Sequence, residues 1–317
     1  MKTKPPSILS VQSISSILSI LSILSILAIT ATLLVTSCAP KWKYDPDRNT
    51  LTRGRWRLDV TPHGTNLTIT GISKKPLWCS TLTLPATING HTVTAIGEKA
   101  FSRCVDLTAI TLPGTLTTIG GEAFAGCRRL ASVTLPDSVT TIGDYAFRYC
   151  FSLTTATLGN SVTNIGYRAF YDCERLTTIT LPDSLTTLGN HTFAFCVNLT
   201  NVTLPDSVTT IGDSAFFCCA RLTNATLPDS VTTLGDFAFA ICTNLTSATL
   251  GAALTNISNY AFYGCSALTT VTLGTNVTAI GDNAFFGCTT LTDITLPPTV
   301  THIGTNAFRN CPALIKR

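Results

Sequence analysis

Cysteine and histidine are the side chains with which this chain could bind a metal, form disulfides or catalyse a reaction. The sequence contains 13 cysteines and 4 histidines among 317 residues. No CxxC pair has a partnering histidine, and no histidine has a serine, cysteine or acid at a spacing that suits catalysis. The sequence therefore predicts that the protein is not an enzyme and holds no metal and no cofactor; its histidines are His63, His91, His191 and His302.

A ladder of carboxylates is the arrangement that could attract a cation. Asp183, Asp206 and Asp229 each follow a proline and recur at a constant interval along the chain. Carboxylates stacked about 5 Å apart would repel one another by about 0.8 kcal/mol per neighbouring pair in water, and a calcium ion would relieve that repulsion. Pro-Asp-Ser is also a common turn sequence, so the ladder has a purely structural alternative.

Arginine and aromatic side chains are enriched between residues 103 and 175. These residue types dominate the binding energy of protein interfaces, so the sequence predicts a protein-binding patch here. The alternative is ordinary solvated surface, because variable positions of a repeat are exposed by default. The predicted patch consists of Arg103, Arg128, Arg129, Arg148, Tyr149, Phe151, Tyr167, Arg168, Tyr171 and Arg175.

A single repeat of constant length must position all of these side chains. Phenylalanine recurs ten times at an interval of twenty-three positions without an insertion, and a cysteine follows each phenylalanine three positions later. An unbroken period of this kind is the signature of a solenoid, in which each repeat forms one coil. The phenylalanines are Phe101, Phe124, Phe147, Phe170, Phe193, Phe216, Phe239, Phe262, Phe285 and Phe308, and the first and last cysteines are Cys104 and Cys311.

The segment LTAITLPGTLTTIGGEAFAGC, residues 107–127, shows how one coil is built. Alternation of apolar and polar residues around Ile110 predicts a strand, and the following Pro-Gly predicts a turn. Leu116 and Ile119 indicate a second short extended segment, and Gly120 is expected to form a tight corner. In most copies an Asp or Asn follows that glycine and is expected to cap one helical turn that carries the Ala-Phe pair and the cysteine.

Stacking of the coils is required for stability, because one coil cannot bury a core alone. The sequence predicts ten coils, each one repeat long, with low curvature. A parallel β-sheet forms one side, and the short extended segment with its helical turn forms the other. Stacked cysteines would place their Cβ atoms about 4.8 Å apart, beyond the roughly 3.5 to 4.5 Å that a disulfide requires. We therefore expect a column of small buried thiols, with disulfides or metal binding as the alternatives.

The recurring pattern LTxITLPxSVTxIGxxAFxxC resembles the BspA-type leucine-rich repeat of bacterial surface antigens. The entry segment LPATINGHTVTAIG resembles the way such arrays begin, and the resemblance covers Cys79 to Leu314. It implies a right-handed leucine-rich-repeat solenoid on a cell-surface protein. It also implies adhesion to host matrix or plasma proteins or to other cells, without fixing a ligand, because a fold does not dictate a partner.

The N-terminal segment predicts export and tethering. Residues 1–37 combine a basic start with a long apolar stretch, as in a signal peptide. The residues before Cys38 (Val-Thr-Ser) resemble a lipobox, in which the cysteine becomes the acylated first residue of a bacterial lipoprotein. The apolar stretch is also long enough to remain as an uncleaved membrane anchor. We expect an exported chain held in the bacterial envelope by an N-terminal lipid, in the outer membrane and facing the cell surface.

The remaining boundaries follow from local patterns. Residues 38–54 are predicted to be a lipidated tether and spacer, residues 55–78 a β-hairpin that caps the first coil, and residues 79–317 the repeat array. The last predicted strand is followed only by residues 297–317. That end could support end-to-end self-association, or Lys316 and Arg317 could prevent it.

Threonine lines the outward face of the predicted sheet and offers an alternative binding face. A column of hydroxyls could form a broad, low-affinity surface or a lattice that matches ice, although β-branched residues also simply suit a sheet. The column consists of Thr111, Thr134, Thr157, Thr180, Thr203, Thr226, Thr249, Thr272 and Thr295.

Charge excludes one class of partner. The formal charge is +4 with only 12% charged residues, which is too mild to predict binding to nucleic acid or to an anionic membrane surface. The sequence predicts a cell-surface adhesion module that presents an extended surface to a protein ligand. The alternative is a structural or self-assembling envelope protein without a specific host ligand.

Overall fold

The first strand of a coil comes from the predicted alternating segment, except in the coil at Asn201, where only a single bridge to Thr178 forms. The computed structural model describes residues 41–75 and 80–314. In Ala109–Thr111 the central Ile110 is buried and both neighbours are exposed, because one face of the strand packs on the core and the other meets solvent. These strands are Thr81–Thr83, Ala109–Thr111, Ser132–Thr134, Thr155–Thr157, Thr178–Thr180, Asn224–Thr226, Ser247–Thr249, Thr270–Thr272 and Asp293–Ile294.

A second, shorter strand follows in each coil and forms its own parallel ladder. Ile119 lies opposite Ile142, and Ile142 lies opposite Ile165, so identical positions stack directly. This arrangement confirms the predicted parallel stacking and the second extended segment. The strands are Thr118–Ile119, Thr141–Ile142, Asn164–Ile165, Thr187–Leu188, Thr210–Ile211, Thr233–Leu234, Asn256–Ile257, Ala279–Ile280 and His302–Ile303.

An antiparallel sheet covers the N-terminal end of the solenoid. It contains β1 (Lys43–Asp45), β2 (Thr50–Arg53), β3 (Trp56–His63) and β4 (Asn66–Lys74). β4 then pairs in parallel with His91–Ile96, which also forms a hairpin with Thr87–Ile88.

The β3–β4 pair lies within the segment predicted to be a hairpin, but the sheet begins earlier than expected. β1 and β2 occupy residues that the sequence assigned to the 38–54 spacer. The reason is that Leu51 pairs opposite Leu58 and is fully buried, so this segment belongs to the core.

The predicted helical turn is wrong. The residues from Gly143 to Cys150 form successive tight turns, and residues 41–75 and 80–314 contain no helix. Ala146 N–H donates to the Gly143 carbonyl at 3.3 Å within its own coil, whereas Phe147 N–H donates to Ala169 in the next coil at 2.7 Å. A helix would require every N–H to bond within one coil, but here alternate N–H groups link neighbouring coils. Left-handed φ angles, such as 59° at Tyr145, also prevent a helix.

The expected role of Asp and Asn after the corner glycine is therefore also wrong. With no helical turn to cap, each side chain bridges to the next coil instead. Asp144 Oδ1 accepts a hydrogen bond from the Tyr167 N–H at 2.8 Å, and Asp213 Oδ1 accepts one from the Asp236 N–H at 2.9 Å. These bonds satisfy backbone donors along the stacking axis.

The corner glycines are required by close packing between coils rather than by a positive φ. A Cβ at Gly120 would lie 2.7 Å from the carbonyl carbon of Gly97, and a Cβ at Gly212 would lie 2.7 Å from the backbone nitrogen of Asn190. Ser258 is the exception in this column, and its hydroxyl donates to the Leu234 carbonyl.

The phenylalanine column is confirmed. Successive rings stack with centroids 5.0 Å apart at the closest pair, Phe216–Phe239, and 5.5 Å apart at Phe170–Phe193. Nine of the ten rings are at most 1% exposed, and only Phe308 at the last coil is more accessible. Burial of one phenylalanine ring stabilises the fold by about 2 kcal/mol, because its apolar surface is removed from water. The column is therefore a main source of stability.

The cysteine column is buried as predicted from Cys127 to Cys311, whereas Cys104 is only partly buried. The column also has a hydrogen-bonding role that the sequence did not indicate. Each repeat thiol from Cys127 to Cys311 donates to a phenylalanine carbonyl of the preceding coil; Cys196 Sγ, for example, lies 3.2 Å from the Phe170 oxygen. Burial raises the pKa of the Cys150 thiol to about 12, so it stays protonated and can donate. All eleven cysteines in the described ranges carry free thiols.

Within the described residues, the antiparallel sheet covers the N-terminal end of the array, whereas the C-terminal end is partly exposed. At the C-terminal end Leu296 is 39% exposed and Ile303 is 47% exposed, whereas Ile280 in the preceding coil is fully buried. The predicted signal peptide, Cys38, Cys79, Lys316 and Arg317 lie outside the described residues.

Candidate protein-binding surface

The turn face is the surface formed by the segment between the corner glycine and the cysteine of each coil, for example residues 143–150. Two residues per coil there have a left-handed φ, for example 59° at Tyr145 and 63° at Tyr149. Backbone bonds to the next coil, such as Tyr149 N–H to Tyr171 O at 3.0 Å, hold these side chains in rows along the axis. The turn face therefore aligns variable side chains from successive coils.

Arg148 lies among three tyrosine rings on the turn face. Its guanidinium carbon is 4.2 Å from the ring centroid of Tyr149, 5.2 Å from that of Tyr145 and 5.6 Å from that of Tyr171. Its Nη2 donates a hydrogen bond to the Tyr149 hydroxyl. Each cation–π contact contributes about 0.5–1 kcal/mol at exposed sites, so together they fix the guanidinium.

Arg168 contacts two rings of the same group. Its guanidinium carbon is 5.0 Å from the Tyr171 centroid and 4.9 Å from the Tyr167 centroid. Arg128 belongs to the same group, because its guanidinium carbon lies 5.6 Å from the ring centroid of Phe151. We name this set the arginine–tyrosine cluster; it comprises Arg128, Tyr145, Arg148, Tyr149, Phe151, Tyr167, Arg168 and Tyr171.

The positive charge of the cluster is not neutralised by ion pairs. Neither Arg148 nor Arg168 forms a salt bridge with a carboxylate in the described part of the chain. The Nε atoms of both arginines are buried and have no hydrogen-bond partner among the described residues. Burial raises the pKa of the nearby Asp172 carboxyl, Glu174 adds to the rise, and Arg148 opposes it. The cluster is thus suited to an anionic group of a partner.

The structure gathers seven of the ten residues of the predicted patch into this cluster. Arg103, Arg129 and Arg175 are exposed and make no ring contact with any described residue. The binding role of all ten stays a prediction.

Sequence reasoning missed several aromatic residues on the turn face. Tyr145 packs edge-on against Tyr167 at 5.1 Å, Tyr171 contacts Phe195 at 5.3 Å, and Phe195 contacts Phe217 at 5.4 Å. The Tyr145–Tyr167 and Phe195–Phe217 pairs are one position short of the repeat, as are the backbone bonds on this face. The Tyr171–Phe195 pair is one position longer than the repeat. A search at those offsets would have found them. A separate group further along the array contains Phe237, Tyr260, Tyr263 and Phe286.

The predicted threonine column is exposed throughout, from Thr111 to Thr295. It lies beside a second column whose hydroxyls bond between coils, as when Thr177 Oγ1 donates to the Thr154 carbonyl at 3.1 Å. A cavity of about 330 Å³ opens on this face where the sheet is interrupted at Asn201–Leu204, and its lining contains no arginine and no aromatic residue. The sheet face offers hydroxyls but no large anchor.

The aspartate ladder has a structural use in at least one coil. Asp229 Oδ1 accepts a hydrogen bond from the Ala252 N–H at 2.8 Å. Within residues 41–75 and 80–314 no group of three metal-ligating side chains is arranged to hold an ion.

The coil geometry defines a class of protein: a solenoid of short parallel strands with one leucine-rich repeat per turn. The family model of the BspA type leucine rich repeat region matches residues 94–219 and 186–315, with six copies. The chain belongs to the BspA-type leucine-rich repeat family. No curated protein matches it significantly.

Several solved structures are similar. A leucine-rich repeat protein from Bacteroides ovatus is 26% identical over 83% of this chain and 92% of its own, with a TM-score of 0.43. A leucine-rich cell surface protein from Faecalibacterium prausnitzii is 26% identical over 84% and 93%, with a TM-score of 0.43. The T. pallidum leucine-rich repeat protein is 24% identical over 87% of both chains, with a TM-score of 0.45. In the described part of the chain, no helix reaches the length and hydropathy that a bilayer crossing needs.

Proposed function

We propose that this protein is a cell-surface adhesion module that binds a protein ligand through its arginine–tyrosine cluster. The supporting observation is the cluster itself, in which two arginines without ion pairs are held by tyrosine rings. Arginine and tyrosine are the residue types found at binding hot spots, and rings that fix them in advance reduce the entropy lost on binding.

The location we propose follows from the N-terminal sequence and from family membership. Residues 1–37 would direct export, and acylation of Cys38 would hold the chain in the outer membrane with the solenoid facing the cell surface. Host matrix and plasma proteins, or proteins on other cells, are the ligands we expect.

The proposal is tested by substituting Arg128, Arg148 and Tyr171 together with alanine. We expect at least about 30-fold weaker binding to those members of a panel of purified plasma and matrix proteins that bind the native protein, since hot-spot residues contribute about 2 kcal/mol or more each. The matched control replaces Thr134, Thr157 and Thr180 with alanine and should bind normally. The opposite pattern would move the site to the sheet face.

A self-assembling envelope protein is the second candidate. It is favoured by the exposure of Leu296 and Ile303 beside the last paired strands. Light scattering separates the two functions: concentration-dependent oligomers support assembly, and a monomer that captures a matrix or plasma protein supports adhesion.

A further inference from the structure

An aromatic row extends the arginine–tyrosine cluster along the solenoid axis. Tyr149 contacts Tyr171 with centroids 6.0 Å apart, Tyr171 contacts Phe195 at 5.3 Å, and Phe195 contacts Phe217 at 5.4 Å. All four rings are partly exposed. The backbone bond from Phe195 N–H to Phe217 O at 2.8 Å continues the ladder that aligns Tyr149 with Tyr171. The row is therefore a continuous strip built on a rigid scaffold.

Charge divides this row into two unlike halves. Arg148 contacts Tyr149 and Tyr171, and Arg168 contacts Tyr171. Arg128 lies over Phe151, whose ring contacts Tyr149 with centroids 5.8 Å apart. No lysine or arginine occurs between residues 176 and 220, and Arg221, the next one along the chain, forms no cation–π contact with Phe217. Among the described residues, the half formed by Phe195 and Phe217 therefore has no guanidinium over its rings. One half can pair with carboxylates, and the other can only bury apolar surface.

A uniformly charged polymer does not fit such a strip. Its anionic groups would lie over Phe195 and Phe217 and lose water without gaining a partner. A segment that is acidic in one half and apolar in the other would match both halves of the row. Because the rings are spaced 5.3–6.0 Å apart, an extended stretch of about five residues, at about 3.3 Å each, spans the row.

We infer that the row from Tyr149 to Phe217 binds an extended segment of a partner protein, with the partner's acidic residues against Arg128, Arg148 and Arg168 and its apolar residues against Phe195 and Phe217. This inference rests on the proposed function, and it adds the chemistry and placement of the recognised segment.

The test is a double-mutant cycle between the full-length protein and a short synthetic peptide with glutamates in one half and leucines and phenylalanine in the other. The protein variants are Arg148→Gln with Arg168→Gln, and Phe195→Ser with Phe217→Ser. One peptide variant replaces the glutamates with glutamine, and the other replaces the apolar residues with serine. Circular dichroism melting checks that each protein variant is folded.

We expect each protein variant to bind the parent peptide about tenfold or more weakly. Compared with the parent peptide, the glutamine peptide should bind the native protein more weakly, whereas the arginine variant should bind both peptides equally well. In the same way, the serine peptide should bind the native protein more weakly than the parent peptide does, and the phenylalanine variant should not distinguish the two. A higher salt concentration should weaken only the part of the affinity that the arginines contribute, so the arginine variant should show little salt dependence. A conservative variant, Arg148→Lys, keeps the charge but loses the planar stacking and should recover only part of the affinity.

Three outcomes would overturn the inference: no binding of the parent peptide, losses that do not couple in this pairwise way, or stronger binding of a sulfated polysaccharide that depends on the arginines alone. If the native protein still captured a matrix or plasma protein through the cluster, the proposed function would stand while this inference failed. If capture were insensitive to the Arg128, Arg148 and Tyr171 variant, the proposed site itself would fail.

Discussion

The sheet face and the turn face run along the same coils, but different constraints select their residues. On the sheet face, exposed positions such as Thr249 are extended, and threonine suits the backbone. On the turn face, two positions per coil have a left-handed φ that favours glycine or asparagine. Tyr145, Tyr149 and Arg168 nevertheless occupy such positions, with φ of 59°, 63° and 53°. Backbone preference explains the sheet face, and it does not explain the arginine–tyrosine cluster.

Residues placed against backbone preference are good candidates for function, because strain is retained where it serves another purpose. The strain is shared by the whole turn face, since Phe237 and Ile241 outside the cluster have φ of 57° and 60°. The difference between the two faces can be tested by substitutions whose effects on stability should differ between them.

The largest effect is expected at the corner where the turn face begins. Gly212→Ala should lower the free energy of unfolding by about 2–3 kcal/mol, because the new Cβ would lie 2.7 Å from Asn190 N and 2.8 Å from the Gly189 carbonyl carbon. Gly212→Ser should be milder, since its hydroxyl can donate to the Leu188 carbonyl as Ser258 does to Leu234.

Urea unfolding measures both changes. The matched control is Gly114→Ala at the turn after a sheet-face strand, where a new Cβ meets nothing within 4 Å. It should be neutral or slightly stabilising. Equal losses at Gly114 and Gly212 would contradict close packing between coils as the cause.

A change from a β-branched residue to glycine should have opposite signs on the two faces. Ile241 on the turn face has a φ of 60°, so Ile241→Gly should relieve strain and raise the free energy of unfolding by about 1 kcal/mol. Thr249→Gly on the sheet face should lower it by about 1 kcal/mol, because glycine weakens a strand. Thermal melting of the two variants is sufficient. Destabilisation by both would show that side-chain packing at Ile241 outweighs its backbone strain.

The smallest effect concerns pH. Burial raises the pKa of Asp172 in the folded protein, so ionisation of this group opposes folding. Its contribution to stability is therefore highest below the unfolded pKa of about 3.9 and is lost as pH rises through the higher folded pKa.

Asp172→Asn removes this loss and keeps a residue that tolerates the left-handed φ of 57°. The variant should melt slightly above the native protein at pH 7 and level with it at pH 3. An advantage that is the same at both pH values would point to a cause other than ionisation.

Much of the fold follows from the period, because identical residues one repeat apart stack on one another. The burial of Phe147 and Cys150 could be predicted in this way. The helical turn and the capping role of Asp144 were predicted wrongly, because both predictions considered one coil alone. In the structure the Asp144 carboxylate and alternate N–H groups bond to the next coil, and such contacts do not appear within a single repeat.

The candidate site was predictable only in part for a related reason. Arg148, Tyr149 and Tyr171 stand out by residue type. Phe195 and Phe217 were missed because their ring contacts join positions that are offset by one from the repeat. The offset between Phe195 and Phe217 follows the backbone bonds of the turn face, and both offsets become visible only when coils are aligned in space.

The hydrogen-bonded ladders have a mechanical consequence. Each coil is attached only to the coils on either side, and every ladder runs along the axis. If tension were applied between the two ends, coils would detach one after another rather than all at once. Each released coil would lengthen the molecule by roughly 75 Å, the reach of one fully extended repeat. A molecule under load could thus dissipate force in repeated steps while its remaining coils stay folded.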